Sequence, residues 1–156
     1  MREMDFMSYL GILRELTGTL EELTALQQQK TKAVQEDDLA ALNDCMKQEQ
    51  ALAMALRGYE QRRANALAAL NMLGVPLSGL TGCAPDECKE EARRTAEDLR
   101  RQYQQYTCAA EVARNSLECS LHQIEKTLAE LDPEGQALAE TMEPQAPAPM
   151  RTDFRA

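Results

Sequence analysis

The chain has 156 residues and a formal net charge of −9, which favours one domain and argues against binding to nucleic acid or an anionic membrane. No segment has the roughly 18 consecutive apolar residues that a membrane-spanning helix needs. Leu, Ala, Glu, Gln and Arg dominate and only 4% is aromatic, a composition typical of long helices. The N-terminus carries acids where a signal peptide carries a basic flank, and five scattered cysteines indicate reduced thiols. We therefore expect a cytoplasmic protein.

The first predicted helix covers residues 3–34. Its leucines from Leu13 to Leu23 recur at steps of three, four and three, which is the spacing of a coiled-coil seam. Gly11 and Gly18 each weaken a helix by about 1 kcal/mol relative to Ala but leave the pattern intact. Because the polar turn at 35–38 is short, we expect the next helix to be an antiparallel neighbour.

The second predicted helix covers residues 38–73. Asp37 or Asp38 is expected to accept a hydrogen bond from the free N–H groups of its first turn, and Gly74 is a good stop signal. As the middle helix of three, it is expected to have both of its sequence neighbours packed beside it. Its apolar stripe consists of Leu39, Leu42, Met46 (or Cys45), Leu52, Leu56, Tyr59, Leu67, Leu70 and Leu73.

The third predicted helix covers residues 85–131, after a Gly- and Pro-rich break at 74–84 whose Leu77 and Leu80 are expected to pack onto the bundle end. Pro85 and the acids after it are typical of a helix start. The fold class is therefore all-α, an antiparallel bundle of three long helices within one domain over residues 1–141. The Pro-rich segment 142–156 is expected to be a disordered, flexible tail.

The helix lengths indicate that the third helix outruns the other two. It spans about 70 Å against about 50 Å for the second, so it should reach the 35–38 turn near residue 120 and then overhang. Its apolar stripe nevertheless continues, which suggests a partner; a chain that folds back and a homodimer are the alternatives. The candidate client-binding residues are Leu117, Leu121, Ile124, Leu128 and Leu131.

The sequence contains no recognisable catalytic constellation. Cys119 and His122 are spaced on one helical face like half a zinc site, but a structural zinc site needs four ligands. The glycines between the second and third helices follow no strand, so they do not form a phosphate-binding loop. We predict no enzymatic activity, no metal and no cofactor.

The hairpin carries a set of residues that resembles the FlgN family of flagellar export chaperones over roughly residues 8–75. The set comprises a lysine late in the first helix, an acid-Leu start of the second helix, a Glu-Gln pair in its middle and a Glu-x-x-Arg beyond. These positions are Lys30, Asp38, Leu39, Leu42, Glu49, Gln50, Leu56, Glu60 and Arg63.

The resemblance implies a cytosolic, helical, non-enzymatic chaperone. Such a protein binds hook-associated proteins of the FlgK and FlgL type, prevents their premature assembly and delivers them to the flagellar type III export gate, with the later helical part engaging the client. Family members often have a Tyr near the end of the third helix, whereas here the stretch 131–135 has none. The alternatives are a coiled-coil scaffold or homodimer, and an export-apparatus component of the FliJ type that binds the export ATPase.

Overall fold

The computed structural model describes the backbone of residues 2–131 and the side chains of residues 6–131. The described chain is helical and has no strand, which confirms the predicted all-α fold. The expected tail at 142–156 and the end of the predicted domain lie outside the described residues. The helices are α1 (Arg2–Gln35), α2 (Leu39–Ala69), the single turn α3 (Leu80–Cys83) and α4 (Lys89–Leu131), with 3-10 turns at Leu77–Gly79 and Asp86–Cys88.

The core is built on the leucine seam of α1. Leu13, Leu16, Leu20 and Leu23 are each at most 1% exposed, and burying a leucine side chain contributes about 1.5–3 kcal/mol. The four-residue step after Leu23 leads to Gln27, which is also buried. The coiled-coil spacing therefore identified the buried face of α1 correctly.

The helix that lies between the other two is α1, and the prediction that α2 holds this place was wrong. The backbone of α1 closely approaches those of both α2 and α4, whereas α2 and α4 hardly approach each other. The buried face of α4 contains Ala92, Thr95, Ala96 and Ala113, and such small residues permit a close approach to α1. Sequence order is no guide to spatial order in a three-helix bundle.

Side-chain contacts define the direction of each helix pair. Arg62 of α2 lies 3.2 Å from Glu15 of α1, while α1 and α2 meet again near the turn that joins them, so this pair is antiparallel. By contrast, Arg14 contacts Glu91 near the start of α4 at 3.3 Å. Further along both helices, Gln102 donates to the hydroxyl of Thr24 at 3.0 Å, so α1 and α4 run parallel.

The turn between α1 and α2 uses its two aspartates differently. Asp37 has a φ of 54°, the left-handed conformation that commonly ends a helix. The backbone N–H groups of Asp37 and Asp38 donate to the carbonyls of Val34 and Ala33 at 3.2 and 2.9 Å, which is a Schellman motif. Asp38 then caps α2, because its Oδ1 accepts from the N–H of Ala41 at 3.0 Å.

The second helix ends at Ala69, four residues before the predicted end at 73. Asn71 adopts a left-handed φ of 56°. The N–H of Met72 donates to the carbonyl of Leu67 at 2.8 Å, and both of these side chains are buried. An asparagine in a Schellman motif therefore stops α2 before Gly74 can. Leu73, predicted to extend the apolar stripe, is 70% exposed.

The segment that joins α2 to α4 closes one end of the core. Leu77 and Leu80 are buried, as predicted. Pro85 is extended with a ψ of 150° and precedes the 3-10 turn at Asp86–Cys88, so α4 begins at Lys89, four residues after the predicted start.

Candidate partner-binding site

The last turns of α4 extend past the end of the α1–α2 hairpin. Val34 and Asp37 at that end line a shallow groove together with Ser116 and Gln123 of α4. The hairpin end therefore lies beside residues 112–123. From Gln123 to Leu131 the helix continues for about 12 Å at 1.5 Å per residue.

The exposed part of the predicted stripe begins beside the hairpin end and continues along this overhang. Leu121, Ile124 and Leu128 are 56%, 53% and 53% exposed, and Leu131 is 77% exposed. Leu117, at the level of the hairpin end, is half-buried. Their role in binding a client remains a prediction.

The stripe is the direct continuation of the buried face of α4. Each residue turns the helix by about 100°, so Leu99 and Leu128, 29 residues apart, point in nearly the same direction. Leu99 is 1% exposed and belongs to one core cluster with the leucines of α1 and Leu56 of α2. The leucines and the isoleucine of the stripe beyond Leu117 are exposed because the hairpin ends beside residues 112–123, although the helical pattern is unchanged.

The family-motif residues form a separate set inside the hairpin. Lys30 Nζ of α1 lies 2.8 Å from Glu49 Oε2 of α2, and the two side chains are only 13% and 26% exposed. A charged pair this sheltered from water is more strongly coupled than a surface pair. Lys30 and Glu49 therefore link the two helices near the turn.

A second charged pair lies toward the other end of the hairpin. Arg63 Nη2 contacts Glu60 Oε2 at 3.4 Å, and both side chains are mostly buried. Burial raises the pKa of the nearby Tyr9 hydroxyl, and a hydrogen bond with Arg63 opposes part of that rise. Leu56, 3% exposed, packs between the two charged pairs along α2.

The remaining motif residues are three at the start of α2 and Gln50 in its middle. Asp38 is the N-cap described above, and Leu42 is half-buried. Leu39 is 78% exposed and Gln50 is exposed, so neither belongs to the core. Most of the motif therefore has a structural explanation in the hairpin, and the motif does not overlap the stripe of α4.

Two features of the stripe predicted for α2 need correction. Cys45 is buried whereas Met46 is 48% exposed, and the thiol of Cys45 lies 3.8 Å from Gln29 Oε1 of α1. Burial raises the pKa of that thiol. Leu39, expected within the apolar stripe, instead lies exposed at the hairpin end, next to the acidic turn.

A groove between α1 and α4 was not anticipated, because the sequence did not indicate that these two helices are neighbours. Its volume is about 760 Å³, and Thr24 and Thr31 line one wall while Cys108 and Val112 line the other. None of the residues that line it belongs to the stripe.

The described residues show no arrangement typical of a metal site. Among residues 6–131, no group of three or more His, Cys, Asp or Glu side chains is close enough to hold an ion. Cys119 and His122 are both exposed. No helix in the described part of the chain is long and apolar enough to cross a membrane.

Comparison with known proteins identifies the family. No curated protein and no solved structure matches the chain significantly. A family model described as FlgN protein matches residues 1–142, which is most of the sequence and includes both the hairpin motif and the α4 stripe. The chain therefore belongs to the FlgN family, whose members are flagellar export chaperones rather than enzymes and generally bind flagellar hook-associated proteins.

Proposed function

We propose that this protein is a cytoplasmic chaperone for hook-associated proteins of the FlgK and FlgL type. An amphipathic helix of the client lies along the overhanging end of α4 and covers Leu117, Leu121, Ile124, Leu128 and Leu131. The covered client helix is unable to assemble prematurely, and the complex is delivered to the flagellar type III export gate.

The observation that carries this proposal is the uncovered continuation of the core face beyond the hairpin. Together, the four exposed side chains from Leu121 to Leu131 present to solvent as much apolar area as two to three fully exposed side chains. Covering that area contributes roughly 4–7 kcal/mol at about 1.5–3 kcal/mol per side chain. A client helix buries a similar area of its own, and the costs of ordering and association reduce the sum. A micromolar to nanomolar affinity is consistent with these magnitudes.

The rigid attachment of α4 also supports binding at this end. The same helix is held against α1 upstream, where Ala92, Leu99 and Ala113 are at most 1% exposed. The stripe is thus presented on a helix whose direction is already determined, which lowers the entropy lost on binding.

The test is calorimetric titration of the full chain with the C-terminal segments of the hook-associated proteins from the same organism. The filament protein serves as the control ligand. We expect saturable one-to-one binding to a hook-associated protein only. Ile124→Asp and Leu128→Asp should abolish it, since each would bury a carboxylate in the apolar interface.

Gln104→Asp is the matched control variant. It introduces the same charge on α4 at an exposed position, about 20 Å before the stripe begins, so it should leave affinity unchanged. Absence of heat with every segment would refute the chaperone role. A dimer that Ile124→Asp dissociates would favour the scaffold alternative, and binding to the export ATPase alone would favour a FliJ-type component.

A further inference from the structure

Acidic side chains border the α4 stripe on one edge and at one end. We infer that its partner is an amphipathic helix whose apolar face is bordered on one edge by Lys or Arg. This inference rests on the proposed function in taking the stripe as a docking surface. It adds the chemistry of the partner, which an apolar stripe alone does not specify.

The two edges of the stripe differ in charge. At about 100° per residue, Glu118 and Glu125 lie one above the other on one edge. Ser120 and Thr127 occupy the opposite edge in the same way, and the Thr127 hydroxyl is already bonded to the carbonyl of Gln123 at 2.9 Å. Arg114 lies on the acidic edge one turn before Glu118, at the level of the hairpin and before the exposed part of the stripe. A docked helix would therefore meet carboxylates along one side and hydroxyls along the other.

The hairpin end adds three more carboxylates at the start of the stripe, on the Ser120 side of α4. Glu36, Asp37 and Asp38 are exposed, and Asp37 lines the groove that α4 forms with the hairpin end. Within the described residues, no ion pair within 4.0 Å involves these three side chains, Glu118 or Glu125. Among the described residues, Glu118 and Glu125 along one edge, and the three hairpin-end acids at the start of the stripe, therefore have no cation in contact. They select for positive charge by complementarity.

A second copy of this chain is a poor fit to the stripe. The α1–α2 hairpin occupies the space on the stripe side of α4 up to Leu117, so a second α4 lying parallel would bring its own hairpin into the first. An antiparallel pair avoids this clash, but it places like edges opposite each other. Glu118 and Glu125 would then face the same glutamates of the other copy, and such like-charge neighbours are destabilising.

The chain's own C-terminal segment is also a poor match in charge. Residues 132–156 contain five acids and only two arginines. Covering the stripe with this segment would add acids to an acidic border. The charges therefore favour a separate partner with a basic edge. From Leu117 to Leu131 the stripe is about 21 Å long, which accommodates a helix of about four turns.

The test uses the full chain and two synthetic helical peptides of about four turns. Both peptides have the same Leu face and Ser on one edge, and they differ only in carrying Lys or Glu on the other edge. Fluorescence anisotropy should show the Lys peptide binding at least about tenfold more tightly at low salt, with the difference shrinking as salt is added. Equal affinities would overturn the inference.

Charge reversal on α4 tests whether the preference for the Lys peptide comes from the glutamates that border the stripe. Glu118→Lys with Glu125→Lys should make the protein prefer the Glu peptide. Glu21→Lys with Glu22→Lys changes the net charge equally on an exposed part of α1 and should leave the preference for Lys. An unchanged preference in the first variant, or equal Lys-peptide binding to Ile124→Asp, would show adsorption to a generally acidic surface and overturn the inference.

The outcomes separate this inference from the proposed function. If the hook-associated segments fail to bind while the Lys preference and its reversal hold, the chaperone role fails and the partner chemistry stands. If those segments bind through Leu128 but charge reversal has no effect on either peptide, only this inference fails. A dimer in sedimentation that Ile124→Asp dissociates would place a second copy on the stripe. A fall in the urea midpoint on Ile124→Asp without a dimer would place residues 132–156 there. Either result would overturn the inference.

Discussion

The same substitution at two places on one face of α4 should have very different effects on stability. Leu99 and Leu128 point in nearly the same direction from α4, but Leu99 is 1% exposed and Leu128 is 53% exposed. We expect Leu99→Ala to destabilise the monomer strongly and Leu128→Ala to do so only slightly. The two substitutions share the residue type, the helix and the helical face. They differ only in how far the rest of the bundle buries the side chain.

The magnitudes follow from burial. Leu→Ala at a fully buried position costs about 2–5 kcal/mol because a cavity is added to the lost transfer free energy. Leu→Ala removes three carbon groups worth about 0.8 kcal/mol each when buried, and about half of Leu128 is already in water. Leu128→Ala should therefore cost roughly 1 kcal/mol or less, and the better helix propensity of Ala offsets roughly a few tenths of that.

Urea unfolding followed by circular dichroism measures both values. Equal losses at the two positions would refute the reasoning, because Leu128 would then be covered in the free protein. Repeating the titration at two protein concentrations identifies the cover, since stability that comes from a dimer depends on concentration and stability from the chain itself does not.

Three further predictions, two on the hairpin and one on α4, are measured by urea unfolding. Lys30→Met and Glu49→Gln should each cost about 1–3 kcal/mol, because each leaves a sheltered charge without its partner, and the double variant should show a coupling of about 1 kcal/mol. Asp38→Ala should cost about 1 kcal/mol through loss of the N-cap, and Asp38→Asn much less. Burial, and then the charge of Glu49, raise the pKa of Tyr106 above its ordinary 10.0. The unfolded chain therefore loses that proton first, so stability present below about pH 10 falls as the pH rises through the folded pKa, and Tyr106→Phe should flatten this fall.

Each of these predictions has a result that contradicts it. Additive losses for Lys30→Met and Glu49→Gln would mean that the 2.8 Å contact contributes no coupling. Equal losses for Asp38→Ala and Asp38→Asn would mean that the side chain does not cap α2. An unchanged alkaline slope in Tyr106→Phe would assign the pH dependence to other groups that titrate in this range, such as lysines.

Local patterns in the sequence predicted the three long helices but not every helix end. The leucine seam of α1 is read correctly because helical period alone decides which residues share a face. The end of α2 was missed because two competing stop signals lie close together, and Asn71 takes the left-handed position before Gly74. The sequence indicates either Asp37 or Asp38 as the N-cap of α2. Only the backbone geometry shows that Asp38 is the cap and that Asp37 takes the left-handed conformation.

The sequence by itself determined the three long helices, their order along the chain and the apolar face of α4, because these depend on neighbours within a few residues along the chain. It also implied the overhang, since the lengths of α2 and α4 differ whatever their packing. Only the tertiary structure decided that α1 lies between α2 and α4, and that Lys30 and Glu49 are sheltered from water. It also decided at which residues of α4 the hairpin ends and the apolar face becomes exposed. These properties depend on contacts between residues far apart in sequence, which periodicity does not encode. Such contacts are the reason that Leu99 is buried and Leu128 is exposed although both lie on one uninterrupted face of α4.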